Sequence, residues 1–225
     1  MKVFGKNVLK ETKKENIKKV FTSRIEFLEY CEKNNIKCEH VTNDYLNKLV
    51  KGNHQGVVIE VNDYKYFGLN DIEGDFLVML DHLEDPHNFG AIIRTCAAAG
   101  VTSIIIPKDR AVKITDTVVK TSAGTINKVK IIMVSNLVDA IKKLQKQGYY
   151  VYGADATGED YQTIDFSGKK VLVIGNEGKC ISPLVKKNCD FLISIPLNNN
   201  VESLNASVAA GILIYAGYQN DGKRL

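Results

Sequence analysis

The feature that most constrains this chain lies downstream of Asp75. There, short runs of almost continuous apolar residues alternate with segments of helical periodicity. The order is FLVMLDHL, GAIIRTCAAAG, VTSIIIP, a helical stretch to Thr121, a strand over residues 129–134 and a helix over 137–147. Strands over 149–154, 170–175 and 191–196 and a last helix over 203–218 complete it. Strands without polar alternation must be covered on both faces, which a parallel sheet flanked by helices achieves. The fold class read from this part is therefore α/β with a buried parallel sheet.

The first 61 residues differ. They read as a small α/β unit with a strand over 16–22, helical periodicity over 24–34 through Ile25, Leu28 and Cys31, a strand over 38–41, a short helix over 44–51 and a β-branched strand over 55–61. Residues 62–74 have turn composition and read as a linker. The expected organisation is thus a small α/β unit over 1–61, a linker over 62–74 and a larger α/β domain over 75–225.

Charge separates the same parts. The chain has 225 residues and a formal net charge of +4. Residues 1–60 hold 12 Lys+Arg against 8 Asp+Glu, a balance of +4, and residues 61–225 hold 18 against 18, a balance of zero. A basic N-terminal quarter is compatible with a nucleic-acid partner but does not require one. The apolar runs fall far short of the roughly 20 residues of a membrane span, and the start lacks the apolar core of a signal peptide, so the expected compartment is the cytoplasm. Five cysteines, with no CxxC spacing, read as reduced and mostly buried thiols rather than a disulfide or metal framework. No metal site is expected.

In an open parallel sheet, ligands bind beyond the carboxyl ends of the strands. Three segments sit there. In DHLEDPHNFGAIIRTCAAAG, Asn88 is placed to cap a helix, and Arg94 is the one cation on a helix of small and apolar residues. In VLVIGNEGKCIS, a buried strand runs into Gly175, Asn176, Glu177 and Gly178, where glycine permits close ligand approach. In ISIPLNNNVESLNASVAAGILIY, three asparagines precede Ser203, a candidate cap for the last helix. Capping and ordinary turns explain each segment taken singly. Neither GxGxxG nor GxxxxGK[ST] is present, so dinucleotide and P-loop sites are not supported. His54, in HQGV, reads as a hydrogen-bonded turn residue; His82 and His87 lie nearer the first segment.

Taken in order, N-F-G-A-I-I-R-T-C-A-A-A-G, I-G-N-E-G-K-C-I-S and I-P-L-N-N-N-V-E-S-L-N-A-S-V-A-A-G-I resemble the three motifs of the SpoU family of RNA ribose 2′-O-methyltransferases, in the SPOUT superfamily, over residues 75–218. V-F-G-K-N-V-L-K-E and H-Q-G-V resemble the small substrate-binding domain, with a ribosomal-protein-like fold, of its ribosomal-RNA members. The resemblance implies a deep trefoil knot at the C-terminal end, a homodimer and S-adenosylmethionine as cofactor. It implies cofactor contacts from Gly175, Asn176, Glu177, Gly178, Ile195, Leu197, Leu204 and Asn205. It implies a catalytic set of Arg94, Asn88, Glu177, Ser203 and Asn205.

The implied reaction is in-line attack of a ribose 2′-hydroxyl on a sulfonium methyl, most simply at a guanosine of 23S ribosomal RNA. The family proposal makes Arg94 the general base. A guanidinium offers no acceptor while charged, so the alternative is that it grips a phosphate and stabilises the developing alkoxide; the sequence leaves both open. A transfer-RNA guanosine target, a resistance-type ribosomal adenosine target, a non-catalytic RNA-binding assembly factor and a small-molecule methyltransferase are the rival readings. Two positions depart from the family pattern: Cys180 and Asn199 stand where glycines are usual.

Overall fold

The computed structural model describes residues 1–176, 180–198, 201 and 203–219. The chain divides into two compact units. The first comprises Met1–Lys65 together with Ile114–Asn127, and the second comprises Tyr66–Lys113 and Lys128–Leu225.

The first unit carries β1 (Lys2–Phe4), α1 (Lys6–Glu11), β2 (Ile17–Thr22), α2 (Ile25–Lys33), β3 (Cys38–His40), α3 (Asn43–Leu49) and β4 (Val57–Val61). Its sheet has the order β1-β4-β2-β3, with β4 antiparallel to both neighbours and β3 parallel to β2. Phe4, Phe21, Leu46 and Val58 form one cluster of its core. Thr42 caps α3 by accepting from the Tyr45 N–H. His54 is held as a turn residue: Nδ1 accepts from the Gly56 N–H at 3.0 Å, and the opposite ring nitrogen faces Asn47 Oδ1 at 3.0 Å.

The second unit carries β5 (Phe76–Leu80), α4 (Pro86–Ala98) and β6 (Ser103–Pro107). After α5 (Asp116–Thr121), which belongs to the first unit, come β7 (Lys130–Val134), α6 (Leu137–Lys146), β8 (Tyr150–Asp160), β9 (Lys170–Ile174), α7 (Pro183–Asn188), β10 (Phe191–Ser194) and α8 (Ala206–Gln219). The sheet has the order β10-β8-β9-β5-β6-β7 and every pairing is parallel. Alternate residues face opposite helical layers. Leu77, Met79, Ile105, Ile132, Val151, Val171 and Val173 pack with Ile141, Leu144 and Val185 of α6 and α7. On the other face α8 packs against α4 and passes so close to Phe76 that a Cβ on Gly217 would lie 2.7 Å from its ring. Strand β9 enters between β5 and β8 after both have been laid down.

Three features depart from the expected organisation. The stretch to Thr121, assigned above to the larger domain, leaves the second unit after Lys113. In the first unit α5 packs on β1, Lys120 Nζ lies 4.6 Å from the Phe4 ring centre and Asn127 donates to the Glu11 carbonyl. The periodicity of six residues cannot reveal which core a helix joins. Residues 67–74 also do more than link: Phe67 pairs with Ile132 beside β7, and the Gly74 carbonyl accepts from the Tyr149 hydroxyl. Finally, β8 extends to Asp160, beyond the apolar run that marked it in the sequence.

Because Val118 and Val119 are buried in the first unit, a chain cut to residues 66–225 leaves two valines uncovered, each worth about 1.5–3 kcal/mol of burial. The cut chain is expected to self-associate in light scattering. Replacing 114–127 by a short Gly/Ser linker is expected to restore a monodisperse species; aggregation of both equally would show that α5 does not depend on the first unit.

Candidate functional site

The strand ends of the second unit form one cleft. It is lined by Ala154, Asp155 and Ala156 from β8; Ile174, Gly175, Asn176 and Cys180 around the end of β9; Ile193 and Ser194 of β10 with Ile195 and Leu197 after it; and Ser203 and Leu204 before α8 with Ala206, Ala209 and Leu213 in it. It encloses about 130 Å³ and opens to solvent.

Three local devices build it. The first is the turn after β9. Asn176 and Cys180 exchange two backbone hydrogen bonds, at 3.1 and 3.2 Å, closing a narrow loop. A Cβ on Gly175 would fall 2.0 Å from the Cys180 carbonyl carbon and 2.4 Å from the Ile181 nitrogen, so only glycine fits there. Cys180 has φ +51, the left-handed region that glycine adopts without cost. Its thiol is exposed, unlike those of Cys31 and Cys96.

The second is a detour in β8. Leu192 pairs with Gly153 but the next residue, Ile193, pairs with Glu159, so residues 154–158 leave the ladder and turn into the cleft wall. Asp155 Oδ1 accepts from the Thr157 N–H and from Lys186 Nζ at 2.8 Å, which ties the detour to α7. Burial opposes ionisation of Asp155, but the Lys186 and Thr157 hydrogen bonds outweigh it and hold the carboxyl below its ordinary value of 3.8.

The third is the start of α8. Asn205 Oδ1 accepts from the Ser207 N–H, the Ser207 hydroxyl and the Val208 N–H. Asn205 is therefore the cap that the sequence suggested for Ser203, and it does not line the cleft, whereas Ser203 does. Likewise α4 is capped by Asp85, whose carboxylate accepts from the Asn88 N–H at 2.7 Å with Pro86 in the first turn. Asn88, proposed above as the cap, sits inside that turn and is 8 % exposed.

Of the residues singled out in the sequence, Gly175, Asn176, Ile195, Leu197, Ser203 and Leu204 converge on this cleft. Asn88 and Arg94 are on α4 and do not line it; Arg94 is exposed and has no ion-pair partner among the described residues. Glu177, Gly178 and Asn199 lie outside the described residues. Asp155 and Lys186 were missed. Asp155 immediately follows the expected end of its strand, so the rule that located the other segments would have found it. Among the described residues no three His, Cys, Asp or Glu side chains gather as a metal site, and no helix is long and apolar enough to cross a membrane.

Residues 75–215 match the family model described as SpoU rRNA Methylase family. The chain belongs to the SpoU methylase family. Residues 2–67 match the model for RNA 2′-O ribose methyltransferase substrate binding. YacO of Bacillus subtilis, assigned to the TrmH family of tRNA/rRNA methyltransferases, is 41% identical over 96% of this chain and 94% of its own. The AdoMet-bound rRNA methyltransferase of Sinorhizobium meliloti superposes with TM-score 0.82 at 27% identity, covering 97% of this chain and 86% of that one. The TrmH/SpoU tRNA-modifying enzyme of A. aeolicus has TM-score 0.60 at 30% identity over 68% of this chain and 78% of that one. This SpoU protein is accordingly an RNA methyltransferase of the 2′-O-ribose class, and the family uses S-adenosylmethionine.

Two predictions test the local architecture. Gly175→Ala forces backbone apart and is expected to destabilise the protein by several kcal/mol, whereas Cys180→Gly relieves a left-handed residue and is expected to stabilise it by about 1 kcal/mol; urea unfolding measures both. The depressed Asp155 carboxyl contributes stability that is present above its unfolded value and lost as pH falls through its folded value. Lys186→Ala should therefore lower stability at about pH 6 and converge on the parent protein in acid near pH 2; an equal deficit at both pH values would exclude this ion pair as the cause.

Proposed function

We propose that this SpoU protein methylates a ribose 2′-hydroxyl of a guanosine in 23S ribosomal RNA. The observation that carries the choice of RNA is coverage. The ribosomal-RNA enzyme from S. meliloti spans 97% of this chain, including the N-terminal unit, while the tRNA-modifying enzyme spans 68%. A separate basic unit suits a folded RNA read by shape and exposed bases.

The cleft fits the cofactor by its chemistry. Ile193, Leu197, Leu204 and Leu213 offer apolar walls, while the turn at Gly175 and Asn176 brings backbone to the surface without a side chain in the way. We assign Gly175, Asn176, Ile195, Leu197 and Leu204 to holding S-adenosylmethionine, with Glu177 and Gly178 in the same loop of the sequence. When bound, it supplies an electrophilic methyl group on sulfur. The protein's share is alignment of the hydroxyl and control of charge. Arg94, exposed and without an ion-pair partner among the described residues, offers donors for an RNA phosphate or a developing alkoxide. Ser203, on the cleft wall, orients the ribose. Asn205 fixes the first turn of α8, and Asn88 lies in the Asp85-capped first turn of the helix that carries Arg94.

The same proposal includes a homodimer. Helix α8 is apolar on every side, yet Val208 is 50 % and Tyr215 42 % exposed; an all-apolar helix calls for cover, and a second copy would provide it. It also includes a knotted C-terminal course, supported by the insertion of β9 between β5 and β8.

The test is transfer of labelled methyl from S-adenosylmethionine to unmodified ribosomal RNA and, separately, to unmodified tRNA, with nuclease mapping. One 2′-O-methylguanosine in 23S RNA is expected. Label confined to tRNA would overturn the ribosomal assignment. Arg94→Ala is expected to lower kcat by roughly 10²–10³-fold with cofactor affinity nearly unchanged; strong residual turnover would remove Arg94 from the mechanism.

A further inference from the structure

We infer that Asp81 is a positioning residue that clamps both legs of the cofactor loop, so that the width of the cleft depends on a carboxylate outside it. This rests on reading the cleft as the S-adenosylmethionine site. Asp81 follows the last residue of β5, is 1 % exposed and does not line the cleft. Its backbone N–H donates to the Ile174 carbonyl at 2.8 Å. Its Oδ2 accepts from the Ser182 N–H at 2.6 Å. Ile174 is the last residue of β9, and Ser182 precedes the first residue of α7.

Gly175 and Asn176 follow the first anchor, Cys180 and Ile181 precede the second, and Gly175, Asn176 and Cys180 line the cleft. The loop is thus tied twice: across its neck by Asn176 and Cys180, and at its base by the residue that follows β5. The remaining carboxylate oxygen is engaged by His82 Nδ1, so both oxygens of a buried charge are satisfied. Charged acceptors make the stronger hydrogen bonds, and the one to the half-buried Ser182 N–H spans 101 residues of sequence. Removing the carboxylate therefore frees the Ser182 leg while the β5–β9 ladder still holds the Ile174 leg. The loop should widen rather than the sheet unfold.

The experiment uses the full-length protein, with calorimetric titration of S-adenosylmethionine, steady-state kinetics on ribosomal RNA, and amide hydrogen exchange. In Asp81→Ala, cofactor affinity is expected to fall by roughly tenfold or more. KM for the cofactor rises in step, kcat at saturating cofactor stays within about threefold, and exchange at Ser182 accelerates while β5 and β6 stay protected. Asp81→Asn keeps an oxygen for the Ser182 N–H and should recover most of the affinity. Ser182→Pro removes that N–H at a backbone φ of −63, which proline accepts. It should reproduce the effect, and the double variant should be no worse than either single one.

A variant that loses kcat in proportion to its folded fraction, with KM unchanged, would reduce Asp81 to a stability role and overturn the inference. So would unchanged protection at Ser182. If Asp81→Ala does not fold, Asp81→Asn and Ser182→Pro carry the same comparison. Absence of cofactor binding by the unaltered protein would refute the reading of the cleft itself, and the exchange measurement would still decide the clamp.

Discussion

The approach of Gly175 to the Cys180–Ile181 peptide is the constraint around which the second unit is arranged. A Cβ there would stand 2.0 Å from backbone, well inside any van der Waals contact, so the chain can turn back on itself at this point only without a side chain. The return allows β9 to end in the middle of the sheet and α7 to begin beside it, and it presents backbone at the cleft surface. Cys180 then has to accept a left-handed conformation. The loop combines a position that tolerates only glycine with one where glycine would be the relaxed choice.

Much of this was legible in the sequence. Apolar runs of four to six residues on both sheet faces could mean only a covered parallel sheet, and β5, β6, β7, β9 and β10 lie where those runs lie. Of the three segments that the strand-exit rule picked, those around Gly175 and Ser203 line the cleft and the one carrying Asn88 and Arg94 does not. The rule was blind to side-chain hydrogen bonding. Asp85 and Asn88 both precede or open the same helix and both are good caps; Pro86 between them favours the former because proline suits the first helical turn. Ser203 and Asn205 present the same ambiguity, and only the backbone course decides it.

Other features were illegible for a different reason. The detour of residues 154–158 exists because β8 pairs with β10 in two separate registers, and register between parallel strands distant in sequence leaves no local mark. Lys186 meets Asp155 across 31 residues, and Asp81 meets Ser182 across 101. Such contacts follow from strand order, which periodicity does not report. Asp81 is nevertheless the residue directly after an apolar strand, where a buried carboxylate needs partners from elsewhere in the fold.

The excursion of residues 114–127 into the first unit has a consequence for biosynthesis. The N-terminal sheet can pair as soon as β4 has been made, but the helix that packs on β1 is encoded after two strands of the other sheet. The first unit therefore stays incomplete until the chain has grown well into the second. During translation the basic N-terminal quarter waits, with an uncovered apolar surface, for a segment about fifty residues downstream. The two units are separate in their cores and interleaved in their order of synthesis.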